Sequence, residues 1–222
     1  PPPMKKYLLL IFTLASTSVV NAQLLQSVGV KSGLALANQS WLLKSGDFTL
    51  DTDWRNGFYG ALSLEFSKSK HWSLVTDVGY YSKGHVQEVP NSSVVLPEGD
   101  GTFATFDTRF SYLVLNPMLK WRHQTKHFTP YALLGVRIDR QLAYASDFNW
   151  VPIEKDMRKT LWGATAGAGV ELKRNQMGLL LEVQYQHDFT KLIDLPVSAT
   201  NGGMEIKNRA FVVCAGLKYY LP

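Results

Sequence analysis

From Gln26 to the end of the chain, apolar residues alternate with polar or small ones at a period of two through eight segments. No other feature limits the fold as strongly, because period two gives a strand two unlike faces. Near the start, Val28, Val30, Leu34 and Leu36 share one face, and Gly29, Lys31, Gly33, Ala35 and Ala37 share the other. Phe58, Leu62, Leu64 and Phe66 oppose Tyr59, Ala61, Ser63 and Glu65 in the next segment. Later, Trp162, Ala164, Ala166, Ala168, Val170 and Leu172 oppose Thr165, Gly167, Gly169, Glu171 and Lys173. The pattern predicts strands near 26–38, 57–67, 71–83, 109–122, 128–142, 160–173, 178–189 and 207–221.

The connections alternate too. Short turns fall at Ser67-Lys68-Ser69-Lys70, His123-Gln124-Thr125-Lys126 and Arg174-Asn175-Gln176. Long segments rich in Gly, Pro, Asn, Asp and Ser run at about 39–56, 84–107, 143–159 and 190–206. Short inner turns facing long outer loops, on an even number of strands, are the arrangement of bacterial outer-membrane barrels. The sequence therefore predicts an all-β chain: an eight-stranded antiparallel up-and-down transmembrane β-barrel, with the four long loops on the cell surface.

The N-terminal residues agree with export. Met4, Lys5 and Lys6 precede the apolar run Tyr7–Ala15, and Val20-Asn21-Ala22 places small side chains where a signal peptidase reads them. The expected division is a leader and signal peptide at 1–22 and a barrel domain at 23–222. Losing Lys5 and Lys6 lowers the formal charge from +5 to +3, and the remaining bases are scattered, so the chain lacks a nucleic-acid footprint. The lone cysteine, Cys214, supports neither a disulfide nor a lipid anchor at the cleavage site. No second apolar stretch approaches the roughly 20 residues of a membrane helix.

The alternation assigns the faces. In the last strand Phe211, Val213, Ala215, Leu217, Tyr219 and Leu221 form the apolar row that meets lipid. Tyr80, Trp121, Trp162, Tyr185 and Tyr219 fall near strand ends, where amphipathic rings favour the membrane interface. The opposite face places Lys31, Glu65, Asp77, Lys120, Arg122, Arg137, Asp139, Glu171, Lys173, Glu182 and Lys218 in the lumen. An eight-stranded barrel is just wide enough for its own side chains, so these acids and bases are expected to pair across it as a plug. The loops hold apolar residues, Trp41, Phe48, Trp54 and Trp150 among them, and are the expected contact surface for a partner.

Catalytic and metal chemistry find little footing. His85, His187 and Asp188 fall near the outer rim, but adjacent His187 and Asp188 point to opposite faces, and spacing supplies no partner nucleophile. Asp47, Asp51 and Asp53 lack the glycine and bidentate glutamate of a calcium loop. Neither an enzymatic activity nor a cofactor is expected.

Several motifs resemble those of the PorT-like outer-membrane β-barrel family. Gly29-Val30-Lys31-Ser32-Gly33-Leu34 is similar to its opening strand, and Tyr80-Tyr81-Ser82-Lys83-Gly84 to the aromatic-Ser-Lys-Gly ending of its third. Tyr112-Leu113, Pro117 and Lys120-Trp121 resemble the fourth strand, with Pro117 one residue late, so a bulge near Asn116-Pro117 is expected. Pro130-Tyr131 with Gly135, and Gly167-Ala168-Gly169-Val170-Glu171, continue the series. Gly216, Tyr219 and Leu221 resemble the C-terminal signal read by the barrel assembly machinery, although Cys214 replaces its usual polar residue. The resemblance implies an integral outer-membrane location. The partners expected are outer-membrane lipid and lipopolysaccharide, the assembly machinery and an envelope protein. The leading expectation is a non-enzymatic binding or scaffold component, with a secretion or surface assembly as its candidate setting; the alternatives are a narrow passive pore and a soluble secreted lipocalin-type carrier.

Overall fold

The computed structural model describes residues 25–67, 69–91, 101–147, 156–198 and 202–222. The expected leader, its cleavage point and Trp150 lie outside the described residues. Eight long strands form the wall: β1 (Leu25–Leu43), β3 (Arg55–Phe66), β4 (Trp72–Pro90), β5 (Phe103–Arg122), β6 (Thr129–Ser146), β7 (Thr160–Arg174), β8 (Met177–Asp188) and β10 (Met204–Tyr220). Each pairs antiparallel with its sequence neighbour in the wall. β1 then pairs with β10 from Ser27↔Tyr220 to Leu43↔Met204, which closes the barrel. Two short strands, β2 (Phe48–Asp51) on β1 and β9 (Ile193–Leu195) on β10, extend the sheet at the loop end.

The strands outrun the sequence prediction on the loop side. β4 and β5 stay paired as far as Pro90↔Phe103, well beyond the roughly 9–11 residues needed to cross a membrane. Much of what reads as loop by composition is therefore ladder. Polar side chains there conceal the strand because both faces of the extension are free to meet water.

The outward row is apolar: Leu34, Leu62, Leu134 and Leu181 are each more than half exposed on the isolated chain. The inward row is buried and holds the charges. A lipocalin-type carrier requires the reverse, so the soluble alternative is overturned.

Aromatic residues bound the outward belt at both ends, Phe58 and Phe66 on β3, Tyr80 and Trp72 on β4, and Phe211 and Tyr219 on β10. Eight residues separate the members of each pair, about 26 Å along a strand and, at a tilt near 40°, about 20 Å along the membrane normal. That is close to the apolar band of a bacterial barrel.

Pro117 behaves differently from expectation. It stays in register with Thr76 of β4, while the β5–β6 ladder omits Asn116 and Pro117 without shifting, Leu115↔Ile138 being followed by Met118↔Gly135. The missing N–H therefore leaves a local gap. The register shift lies higher, between Ser111 and Tyr112, where Leu142 of β6 is left over.

Leu181 sits midway between Met177 and Tyr185 on the lipid face of β8. Leu181→Arg should destabilise the folded barrel in lipid vesicles by about 2–4 kcal/mol, against about 0–1 for Leu221→Arg at the interface, measured by urea unfolding.

Candidate functional site

Three tiers of charge fill the barrel, because inward positions recur on every strand at matching heights. In the tier nearest the short turns, Glu65 accepts from Lys218, from Lys120 at 3.3 Å, from Arg122 at 3.1 Å and from the Ser73 hydroxyl at 2.7 Å. Glu171 accepts from Lys120 at 2.9 Å and Lys218 at 3.2 Å. The Arg122 guanidinium also donates to Gln26, to the Ser67 hydroxyl and to the Ser69 and Lys70 carbonyls, which ties the first turn to the barrel floor.

In the middle tier Lys31 bridges Asp77 and Glu182, at 2.9 Å each. Tyr59 donates to Asp77, and Tyr131 and Gln184 donate to Glu182. Tyr131 reaches its partner because Gly169 lies across from it: a Cβ there would meet the phenol oxygen at 2.5 Å. The face of the same ring lies 4.2 Å from the Lys120 ammonium, linking this tier to the one below.

In the outer tier Lys83 bridges Asp139 at 2.7 Å and Asp188 at 3.2 Å, while Arg137 pairs with Asp188 and with Asp139 at 2.8 Å. Tyr81 donates to Asp139. A chain of donors descends to this tier from the mouth, Trp41 to Gln39, Gln39 to Asn208 and Asn208 to Asp188.

Across the three tiers six bases (Lys31, Lys83, Lys120, Arg122, Arg137, Lys218) face six acids (Glu65, Asp77, Asp139, Glu171, Glu182, Asp188). Ten of the expected lumen residues are among them. Lys173 is a correction: it lies exposed past the turn-side end of the wall, its ammonium 3.8 Å from the Tyr220 ring, because β7 continues there beyond the barrel's closed section. Lys83 and Asp188 were not in the expected set, though alternation from Asp77 and from Glu182 puts both inward.

Above the outer tier the lining turns apolar. Trp41, Phe110, Tyr144, Met157 and Ile206 surround a small pocket of about 40 Å³, partly open at the loop end, and His85 meets the Trp41 ring edge-on at 5.2 Å. Trp41 is thus part of the mouth. Trp54 instead folds over the outer wall, against Phe211 and the Arg209 guanidinium, and Phe48 is more than half exposed on β2. Outside the membrane, Asp194 accepts from Lys44 and Lys191, and these bonds hold its carboxyl below the usual range, clamping the first loop to the last.

The rim residues weighed for catalysis separate: His187 faces outward, Asp188 enters the ion-pair network, and His85 faces the mouth pocket. Asp51 pairs with Arg209, and among the described residues no cluster of three or more His, Cys, Asp or Glu side chains is arranged for a metal. The proposed assembly-signal residues divide by face. Tyr219 and Leu221 face outward, while Gly216 faces the lumen, where a Cβ would meet Lys31 Cγ at 3.1 Å.

Removing one buried partner strands the others. Arg137→Met should lower stability by about 3–5 kcal/mol in detergent unfolding. Lys173→Gln, at the rim, should change it by no more than about 0.5 kcal/mol.

Comparison with known proteins agrees with this architecture. Residues 21–194 match the family model described as outer membrane protein beta-barrel domain. No curated protein matches the chain. Among solved structures, the outer membrane protein OprG from Pseudomonas aeruginosa aligns with a TM-score of 0.50 at 12% identity, covering 89% of this chain and 98% of that one. Neisserial surface protein A aligns with a TM-score of 0.48 at 13% identity, covering 87% and 97%. The family match spans most of the sequence, and the barrel, its apolar belt and its outer-membrane setting follow together: the chain belongs to the outer membrane protein β-barrel domain family.

Proposed function

We propose that this barrel conducts nothing, catalyses nothing, and works as a binding or scaffold component of the outer membrane, presenting its loop end to a partner in an envelope assembly. The observation that carries the reading is the lumen, filled at three heights by six bases paired with six acids. An ion crossing it must displace side chains that already neutralise one another, and each broken buried pair is costly. What remains for recognition is the outer end, where the β4–β5 ladder, the mouth pocket and exposed Phe48 stand above the membrane. The motif resemblance to PorT-like barrels supports a place beside secretion or surface machinery. The C-terminal Gly216, Tyr219 and Leu221 suit recognition by the barrel assembly machinery during insertion.

Single-channel recording of the purified barrel in planar bilayers should give no discrete conductance; regular steps would establish the pore reading instead. Exchanging the segments between β1 and β3 and between β8 and β10 should abolish stoichiometric co-purification of an envelope partner, while the barrel keeps its heat-modifiable migration.

A further inference from the structure

A cleft of about 320 Å³ opens on the outside of the wall. Its floor is Leu34, Phe58 and Tyr80, and Arg55, Arg109 and Ser82 close it above. The floor residues belong to the outward apolar face, Phe58 and Tyr80 at its upper aromatic edge. Arg109 pairs with Gly84, four residues beyond Tyr80 on β4, which sets it about 10 Å higher along the membrane normal, at headgroup level.

Local backbone places the two cations there. Ladder pairing between β3 and β4 ends at Tyr59↔Tyr81, and Gly84, at φ +149°, has no side chain to fill the space beyond. Arg55 crosses β4 at that point, its Cδ 3.1 Å from where a Gly84 Cβ would be. It donates from Nε and Nη2 to the two Asp107 carboxylate oxygens at 2.5 and 3.3 Å, and from Nη1 to the Ser82 hydroxyl at 3.2 Å and the Asn56 carbonyl at 3.3 Å. Arg55 is therefore held, with its charge offset by Asp107. Arg109 is exposed and has no ion pair among the described residues. Asp107 and Asp147, the acids bonded to this part of β5, lie outside the cleft lining.

We propose that the cleft seats a phosphorylated lipid of the outer leaflet, with its phosphate on Arg109, beside the Asp107-paired Arg55, and an acyl chain along Leu34 and Phe58. Guanidinium groups bind phosphate oxygens through paired, charge-assisted hydrogen bonds, and here an apolar floor continues directly into the hydrocarbon. The ligand class follows from that sequence of surfaces: an anion without a chain leaves the floor uncovered, and a neutral lipid leaves Arg109 without a counter-charge.

The test is native mass spectrometry of the full-length barrel extracted from phosphatidylcholine vesicles doped with bis-phosphorylated lipid A, with the dephosphorylated lipid in parallel. One phosphorylated lipid per barrel should survive extraction, and the dephosphorylated form should be retained about tenfold less. Arg109→Gln should reduce retention to a similar degree, and Arg109→Lys should restore part of it. Excess inorganic phosphate should not displace the lipid. Equal retention of the two lipids, which requires no variant, would overturn the proposal, as would undiminished retention by a folded Arg109→Gln barrel or full displacement by inorganic phosphate, which would leave only a free-anion site.

Discussion

Closure by eight strands makes the interior narrow, and narrowness forces every inward side chain to find its partner inside the wall. Here that requirement is met by charge. Six bases and six acids share three tiers, and in each tier at least one ammonium or guanidinium touches acids from two different strands, as Lys31 does with Asp77 of β4 and Glu182 of β8. Such links span the lumen, so they fix which strands stand opposite one another as well as which stand side by side. Tyrosines complete the packing: Tyr59, Tyr81 and Tyr131 each present an apolar ring to the interior and donate a phenol hydrogen to a tier carboxylate.

The outer face follows from the inner one. Once period-two alternation commits the charged row to the lumen, the other row must meet the hydrocarbon, and its aromatic limits at Phe58 and Phe66 or Tyr80 and Trp72 record the depth of insertion. Above that band lipid no longer dictates the alternation. The wall continues as β4–β5, the mouth turns apolar around Trp41 and Phe110, and ion pairs among Lys44, Lys191, Asp194 and Glu205 join the first and last loops.

Most of the membrane-embedded architecture was legible in the sequence because lipid enforces the alternation there. Strand number, facing and ten of the lumen charges follow from parity alone. Lys173 was misplaced because parity gives direction and not height: its row is inward, but β7 has already passed the barrel's end. Lys83 and Asp188 were legible by the same parity, since each is the last inward position of its predicted strand, 71–83 or 178–189, counted from Asp77 or Glu182. The expected bulge at Pro117 failed because an omitted pair in the ladder accommodates the absent N–H as well as a register shift does. The crossing of Arg55 over Gly84 depends on a gap between β3 and β4 that no local pattern announces.

The central claim is that the lumen charges act as one mutually neutralising network. A double-mutant cycle on Lys31→Met and Glu182→Gln, read by equilibrium unfolding in detergent micelles, tests it most directly. The account predicts strong losses for each single change and a double variant that loses less than their sum by about 1–3 kcal/mol. Losses that add to within about 0.5 kcal/mol would contradict it, because side chains that do not feel one another do not form a plug.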